Sequence, residues 1–285
     1  MNPLLSVLGS IVLWVGGALL VAGAAIVGPC RLARLRTELA PRLWSVRRSV
    51  GVLVAVLVAS AIGRGALQTV SELFGLRLTG LIYAIEGDFV AWVQATFVAP
   101  ELTVYFSSIY MYGYVFLLVF PFVAYLALPE TTALNRLIVA YALNYSIGLV
   151  IYTVVFAHGP RNLMPDMVTS LLFTYNPDFM ALTSEVNEAA NVFPSLHTSL
   201  SVTVASFAVL TREEYPRWTP VALWLATSVV LATMYLGIHW LTDVVGGVAL
   251  ALGSVYLSYR LVDAEGDGAE GDPGRNRVTG DDGSS

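Results

Sequence analysis

The stretch PVALWLATSVVLATMYLGIHWLTDVVGGVALALGSVYLSYRL, residues 220–261, decides the fold. It holds two apolar runs, Pro220 to Ile238 and Trp240 to Leu261, parted by a single histidine, His239. Each is close to the roughly 20 apolar residues that a helix needs to cross a bilayer. Working outward, five more segments read the same way: Leu4 to Val27, Val50 to Val70, Val104 to Leu128, Leu137 to Ala157 and Leu196 to Leu210. The expected fold is all-α, a polytopic membrane helical bundle. Composition agrees, because 56% of the 285 residues are hydrophobic and 12% charged, with a mean hydropathy of +0.72. Lipid is the natural solvent of such a chain. The first segment has no basic residue ahead of it and ends in Val27-Gly28-Pro29-Cys30, a poor cleavage site, so it is expected to be a retained span.

The net charge of −5 is concentrated in a Gly-, Asp- and Glu-rich tail after Val262, expected to be disordered and cytoplasmic. No nucleic-acid partner is suggested. The one cysteine, Cys30, excludes an intrachain disulfide and a cysteine metal cluster. All 15 basic residues are arginine. Arg31, Arg34, Arg36, Arg42, Arg47 and Arg48 follow the first span, and basic residues are retained on the cytoplasmic side. Placing that linker inside also places Arg136, Arg212, Arg217, Arg260, Arg275 and Arg277 inside, and leaves Arg64, Arg77 and Arg161 in the membrane or outside. The N-terminus is then extracytoplasmic and the C-terminus cytoplasmic in a multi-pass cell-membrane protein. Two external segments are long: Ser71 to Leu102, expected to form one or two interfacial helices, and His158 to Pro194.

The chemistry gathers at Asn191-Val192-Phe193-Pro194-Ser195-Leu196-His197 and Tyr235-Leu236-Gly237-Ile238-His239-Trp240-Leu241-Thr242-Asp243. The separation of His197 and His239 allows one helix down and one back, so both histidines return to the same, external face, where Arg161 also sits. Pro194 and Ser195 suit a helix start, whose free amides, beginning at Leu196, favour an anion such as phosphate. His239 and Asp243 are four residues apart and share a helix face. The carboxylate can then fix one ring nitrogen and leave the other as a nucleophile. Arg161 can supply a charged fork for phosphate oxygens. Arg64 reads equally as a snorkelling or a cleft residue, and Thr233 and Tyr235 are further candidates for the cleft. His158 reads as a solvated interface residue, Glu185 and Glu188 as a solvated loop face, and Asn144 and Tyr145 as interhelical hydrogen-bonding groups. A transporter or a non-catalytic membrane scaffold is the alternative. A transporter would place its ionisable groups near the bilayer midplane, whereas these collect at the outer ends of spans.

These residues resemble the type 2 phosphatidic acid phosphatase superfamily. Pro194-Ser195-Leu196-His197 is similar to its second motif, usually Pro-Ser-Gly-His, the stretch from Tyr235 to Asp243 with Gly247 to its third, and Gly159-Pro160-Arg161 to the end of its first. The resemblance implies a six-helix phosphatase-type core, so that residues 1–49 form an extra N-terminal span with a basic linker, 50–261 the catalytic domain and 262–285 the tail. It implies a lipid phosphate or phospholipid substrate, a phosphohistidine intermediate on His239, His197 and Asp243 as its catalytic partners, and neither metal nor cofactor. The first-motif lysine has no counterpart, and Thr233 stands where an arginine is expected. Phe-Pro-Ser-Leu-His with Tyr-Leu-Gly-Ile-His resembles the inositolphosphotransferase branch that includes inositol phosphorylceramide synthases. That implies transfer of a phospho-headgroup to an acceptor lipid as an activity beside hydrolysis.

Overall fold

A backbone surrounded by lipid must satisfy its hydrogen bonds within its own segment, so the apolar runs become helices. A computed structural model describes residues 3–180 and 191–270, with the side chains of Pro3, Arg64 and residues 265–270 outside the description. The described helices are α1 (Pro3–Ala22), α2 (Pro29–Ser45), α3 (Arg47–Phe74), α4 (Thr79–Glu86), α5 (Phe89–Phe97), α6 (Pro100–Ser108) and α7 (Tyr114–Leu126). There follow α8 (Thr132–Val154), α9 (Pro160–Leu163), α10 (Leu171–Tyr175), α11 (Leu196–Leu210), α12 (Trp218–Tyr235) and α13 (Leu241–Glu270). Wider π-turns, Gly23–Val27 and Ile109–Gly113, follow α1 and α6. Two short strands, β1 (Leu76–Arg77) and β2 (Val155–Phe156), pair in parallel and tie the end of α3 to the end of α8.

Among the described residues five stretches are long and apolar enough to cross a membrane: Leu4–Val27, Pro100–Leu126, Thr132–Val154, Trp218–Tyr235 and Leu241–Ala264. The pair α2 and α3 makes a sixth only when taken together across a 69° bend. The protein is therefore an all-α polytopic membrane bundle, in which Leu196–Leu210 is a shorter apolar helix than the others. α11 has 15 residues, about 22 Å of helix against the roughly 30 Å of a hydrocarbon core. Its surroundings give the reason. Leu200, Val204, Phe207 and Ala208 are fully buried, as are Ser199, Ser201 and Thr203, because α7, α8, α12 and α13 pack around it. A helix enclosed by protein does not need a full-length lipid-facing surface. The Asn144 amide on α8 donates to Thr203 Oγ1 at 3.1 Å and its carbonyl accepts from Ser199, so hydrogen bonds fix the two helices together. The outer helices are the reverse case: Ile62 is 81% exposed and Leu20 78%, an apolar surface that suits lipid.

The long helices pack side by side, and contacts among their termini define two ends of the bundle. At one end Arg31 pairs with Glu214 at 3.2 Å, Arg217 donates to the Ala25 carbonyl at 3.1 Å, and Arg136 pairs with Asp263. At the other end lie the starts of α11 and α13, the strand pair and the short helices α4, α5, α9 and α10. The beginning of α1 reaches this second end, where Val7 is buried in a cluster with Tyr110, Leu171 and Ile238. Between Ser71 and Leu102, where one or two interfacial helices were expected, the chain forms the short helices α4 and α5. They are fastened by Gln94, whose side chain donates to the carbonyls of Tyr235 (2.9 Å) and Thr169 (3.0 Å) and accepts from the Thr169 amide (2.8 Å). At the opposite end α13 continues past Val262, where the tail was expected to begin, as far as Glu270. The Asp263 contact to Arg136 holds that added turn against α8. Residues 271–285, the remainder of the expected tail, lie outside the described residues.

Candidate active site

The site is assembled where α11 meets α13. Ser195 is the N-cap of α11, in extended conformation, and its hydroxyl oxygen accepts the Thr198 amide at 3.3 Å. Its own amide donates to the Asp243 carbonyl at 3.0 Å, so the start of one helix is bonded to the first turn of the other. The approach is close because residue 247 is glycine. A Cβ there would sit 2.5 Å from the Ser195 carbonyl oxygen and 2.9 Å from Thr198 Cβ. Overpacking against backbone costs about 1–3 kcal/mol. Gly247→Ala is therefore expected to lower the thermal midpoint of the detergent-solubilised protein and, by forcing α11 off α13, its turnover as well.

α12 ends in a turn at Gly237, whose φ of 71° suits a residue without Cβ. Beyond it the amides of Ile238 and His239 both donate to the Thr233 carbonyl at 3.0 Å. This fixes the backbone that carries His239, a residue only 5% exposed. His239 Nδ1 lies 3.3 Å from Asp243 Oδ2, and the same oxygen accepts the Trp240 amide at 2.9 Å. A carboxylate can only accept, so the proton of the pair rides on Nδ1 and Nε2 keeps its lone pair. The His197 ring lies with its centroid 6.3 Å from that of His239.

His197 is held between two tyrosines, Tyr110 and Tyr114, with ring centroids at 4.6 Å in each case. Tyr110 comes from the π-turn after α6, a local widening of the helix that recurs at functional sites. Arg161 lies in α9, whose position is set by its own amide, donating to the Gly237 carbonyl at 3.2 Å. Its guanidinium carbon stands 5.1 Å from the Phe173 ring centre, and Nη1 is buried without a hydrogen-bond partner. Burial pulls this guanidinium below its ordinary pKa, and nearby Tyr110 offsets part of the shift. Arginine stays charged nevertheless. A desolvated cation with an idle donor is a seat for an anion.

The other sequence candidates divide. Leu196 opens α11, and its side chain lies against Gly148 of α8, where a Cβ would meet Leu196 Cδ2 at 2.8 Å. A glycine on the neighbouring helix thus makes room for leucine in the Pro-Ser-Leu-His motif. Thr233, fully buried, turns its hydroxyl back to the Val230 carbonyl at 2.7 Å, and contributes its carbonyl to the turn rather than its side chain to a cleft. Tyr235 is likewise committed elsewhere, its hydroxyl 2.8 Å from Thr103 Oγ1 and its ring 4.7 Å from Phe106. The side chain of Arg64, and Glu185 and Glu188, lie outside the described residues. His158 is half-buried rather than solvated, and its carbonyl accepts Trp240 Nε1 at 2.9 Å.

Sequence reasoning missed Tyr110 and Glu86. The Glu86 carboxylate, at the end of α4, accepts the Leu241 amide at 2.8 Å and also the Thr242 amide. It thus caps the helix that carries Asp243 from another part of the chain, and the positive end of that helix favours it. Removing a cap costs about 1 kcal/mol. Glu86→Ala is expected to lower the thermal midpoint by a few degrees and to reduce turnover modestly, whereas Glu86→Gln, which still offers a carbonyl acceptor, is expected to lose less.

Residues 80–257 match the sequence model of a family described as the PAP2 superfamily. The match covers more than half of the chain and contains His197, His239, Asp243 and Arg161, so the chain belongs to the PAP2 superfamily. It is a membrane protein with a phosphatase-type domain. Comparison with curated proteins found no match, and neither did comparison with solved structures.

Proposed function

We propose that the protein cleaves a phosphoester bond of a membrane lipid through a phosphohistidine on His239. The observation that carries this reading is the convergence on one end of the bundle of two neighbouring imidazoles, a buried carboxylate on one of them, and a guanidinium with an idle donor. In the first step Nε2 of His239 attacks phosphorus in line, the N–P bond forms, and the bond from phosphorus to the leaving oxygen breaks as His197 gives that oxygen a proton. Asp243 stabilises the cationic ring. In the second step His197 takes a proton from water or from an acceptor alcohol, whose oxygen displaces Nε2. Arg161, the Leu196 amide and the Ser195 hydroxyl hold the phosphoryl oxygens as charge develops. The basic end, with Arg31, Arg42, Arg136 and Arg217, belongs to the cytoplasmic side by the retention of positive charge, which puts the histidines on the extracytoplasmic face.

The substrate reading rests on charge. Arg161 stands near Tyr110, the ring stacked on His197, and Thr233 turns its buried hydroxyl to its own helix. A phosphodiester carries a single negative charge and a phosphomonoester nearly two, so this site suits a phosphodiester and transfer of a headgroup, of the inositol phosphate type, to an acceptor lipid. The test is incubation of the purified protein with headgroup-labelled phosphatidylinositol and with phosphate-labelled phosphatidate, together with a lipid alcohol. Label on a second lipid from phosphatidylinositol supports transfer, free phosphate from phosphatidate makes the enzyme a phosphatase, and release of neither refutes both.

A further inference from the structure

The end of the bundle remote from the histidines carries a second surface that the catalytic reading does not use. α2 has 17 residues and not one of them is buried. Leu32, Leu35, Leu39 and Leu43 recur at helical spacing and form one apolar stripe. Leu32 and Leu35 touch the core, while Leu39 and Leu43 remain 43% and 46% exposed. Two arginines moor the helix to the bundle. Arg31 pairs with Glu214 and stands 5.1 Å over the Tyr215 ring, and Arg42 donates to the carbonyls of Leu126 and Leu128. The sole carboxylate of α2, Glu38, is taken by Arg42.

Arg34, Arg36 and Arg48 are exposed and have no carboxylate partner among the described residues. Arg47 is stacked on Trp44 at 4.3 Å and donates only to that residue's carbonyl. The axis bends by 69° between Pro29–Ser45 and Arg47–Gly63. α3 runs beside the span α8, with Ser49 bonded to Asn135 near its start and Ser71 to the Val155 carbonyl near its end. So α2, bent by 69° from it, lies along the membrane surface with Leu39 and Leu43 open to the acyl chains and arginines at the level of the headgroups. An aromatic ring and stacked arginine at the elbow are the usual anchors at that depth.

We propose that the α2–α3 elbow is a docking surface for anionic phospholipid headgroups on the face of the membrane opposite the histidines. Unpaired cations, an apolar stripe and a turn into the membrane plane together fit a negatively charged lipid surface, and each cation near such a surface is worth about a fivefold preference. The assignment is independent of the chemistry at His239.

Cys30, exposed in the first turn of α2 and the only cysteine of the chain, accepts a fluorescent donor without any substitution. The labelled full-length protein is reconstituted in phosphatidylcholine vesicles containing acyl-labelled acceptor, either phosphatidylglycerol or phosphatidylcholine at the same mole fraction. Quenching by phosphatidylglycerol is expected to be the stronger by about twofold or more, and the excess is expected to shrink in roughly 0.5 M salt. It is also expected to fall by at least half in Arg36→Gln/Arg48→Gln, which retains Arg31, Arg34, Arg42 and Arg47 to hold the orientation. Equal quenching by the two acceptors in the unsubstituted protein overturns the proposal, as does an excess that survives both salt and substitution. Equal quenching together with salt-sensitive binding of polyglutamate would give the surface to an acidic protein instead.

Discussion

His239→Ala protein, purified and compared with the unsubstituted enzyme on the same lipid phosphoester, is expected to retain less than about a hundredth of the turnover, a barrier increase of at least about 3 kcal/mol. No other described side chain offers a nitrogen lone pair that is oriented by a buried carboxylate and faces a neighbouring histidine. The 3.3 Å contact to Asp243 Oδ2 selects Nε2 as the free atom, and the paired Ile238 and His239 amides on the Thr233 carbonyl fix the backbone beneath it. Removing the ring deletes the nucleophile but leaves the Asp243 bonds to Trp240 and Ser195, so the bundle should remain folded. Retention of more than about a tenth of the activity would refute the covalent route.

Asp243→Asn is expected to cost about 10³–10⁴ in kcat with little change in KM, in the manner of an aspartate-to-asparagine change in a hydrolase triad. Asparagine can keep its carbonyl toward the Trp240 amide, as Oδ2 does at 2.9 Å. Its amide group, however, is a donor, and if it faces His239 Nδ1 it moves the ring proton to Nε2, the atom that must attack. The charge that stabilises a cationic ring is lost as well. The burial of Asp243, with 0% exposure, leaves no water to take over either duty. Steady-state rates over a range of substrate concentrations separate this outcome from a folding defect, which would remove active enzyme without such a large fall in kcat per folded molecule.

Hydropathy made the long helices legible, because a run such as Leu241–Ala264 has only one environment in which its surface is covered. The i,i+4 spacing of His239 and Asp243 made the catalytic pair legible, because helix geometry alone brings such side chains together. What escaped depends on tertiary pairing. The apolar character of Leu196–Leu210 does not distinguish a lipid-facing helix from a shorter one enclosed by four others. Tyr110, whose ring stacks on His197, lies in a π-turn that nothing in the local sequence signals. Glu86 caps α13 from far along the chain, and nothing local in Ile85-Glu86-Gly87 announces it. Tyr235, beside the histidine motif in sequence, hydrogen-bonds to Thr103 because the end of α12 turns that face toward α6. The leucine in place of glycine at 196 becomes understandable once Gly148 is seen across from it.

The most direct measurement is a rapid quench of the unsubstituted enzyme during turnover of a lipid labelled at phosphorus, followed by peptide mapping under alkaline conditions that spare phosphohistidine. The account predicts acid-labile label on the peptide that contains His239 and none on the peptide that contains His197. Label on another residue, or none at all while product accumulates, would contradict it.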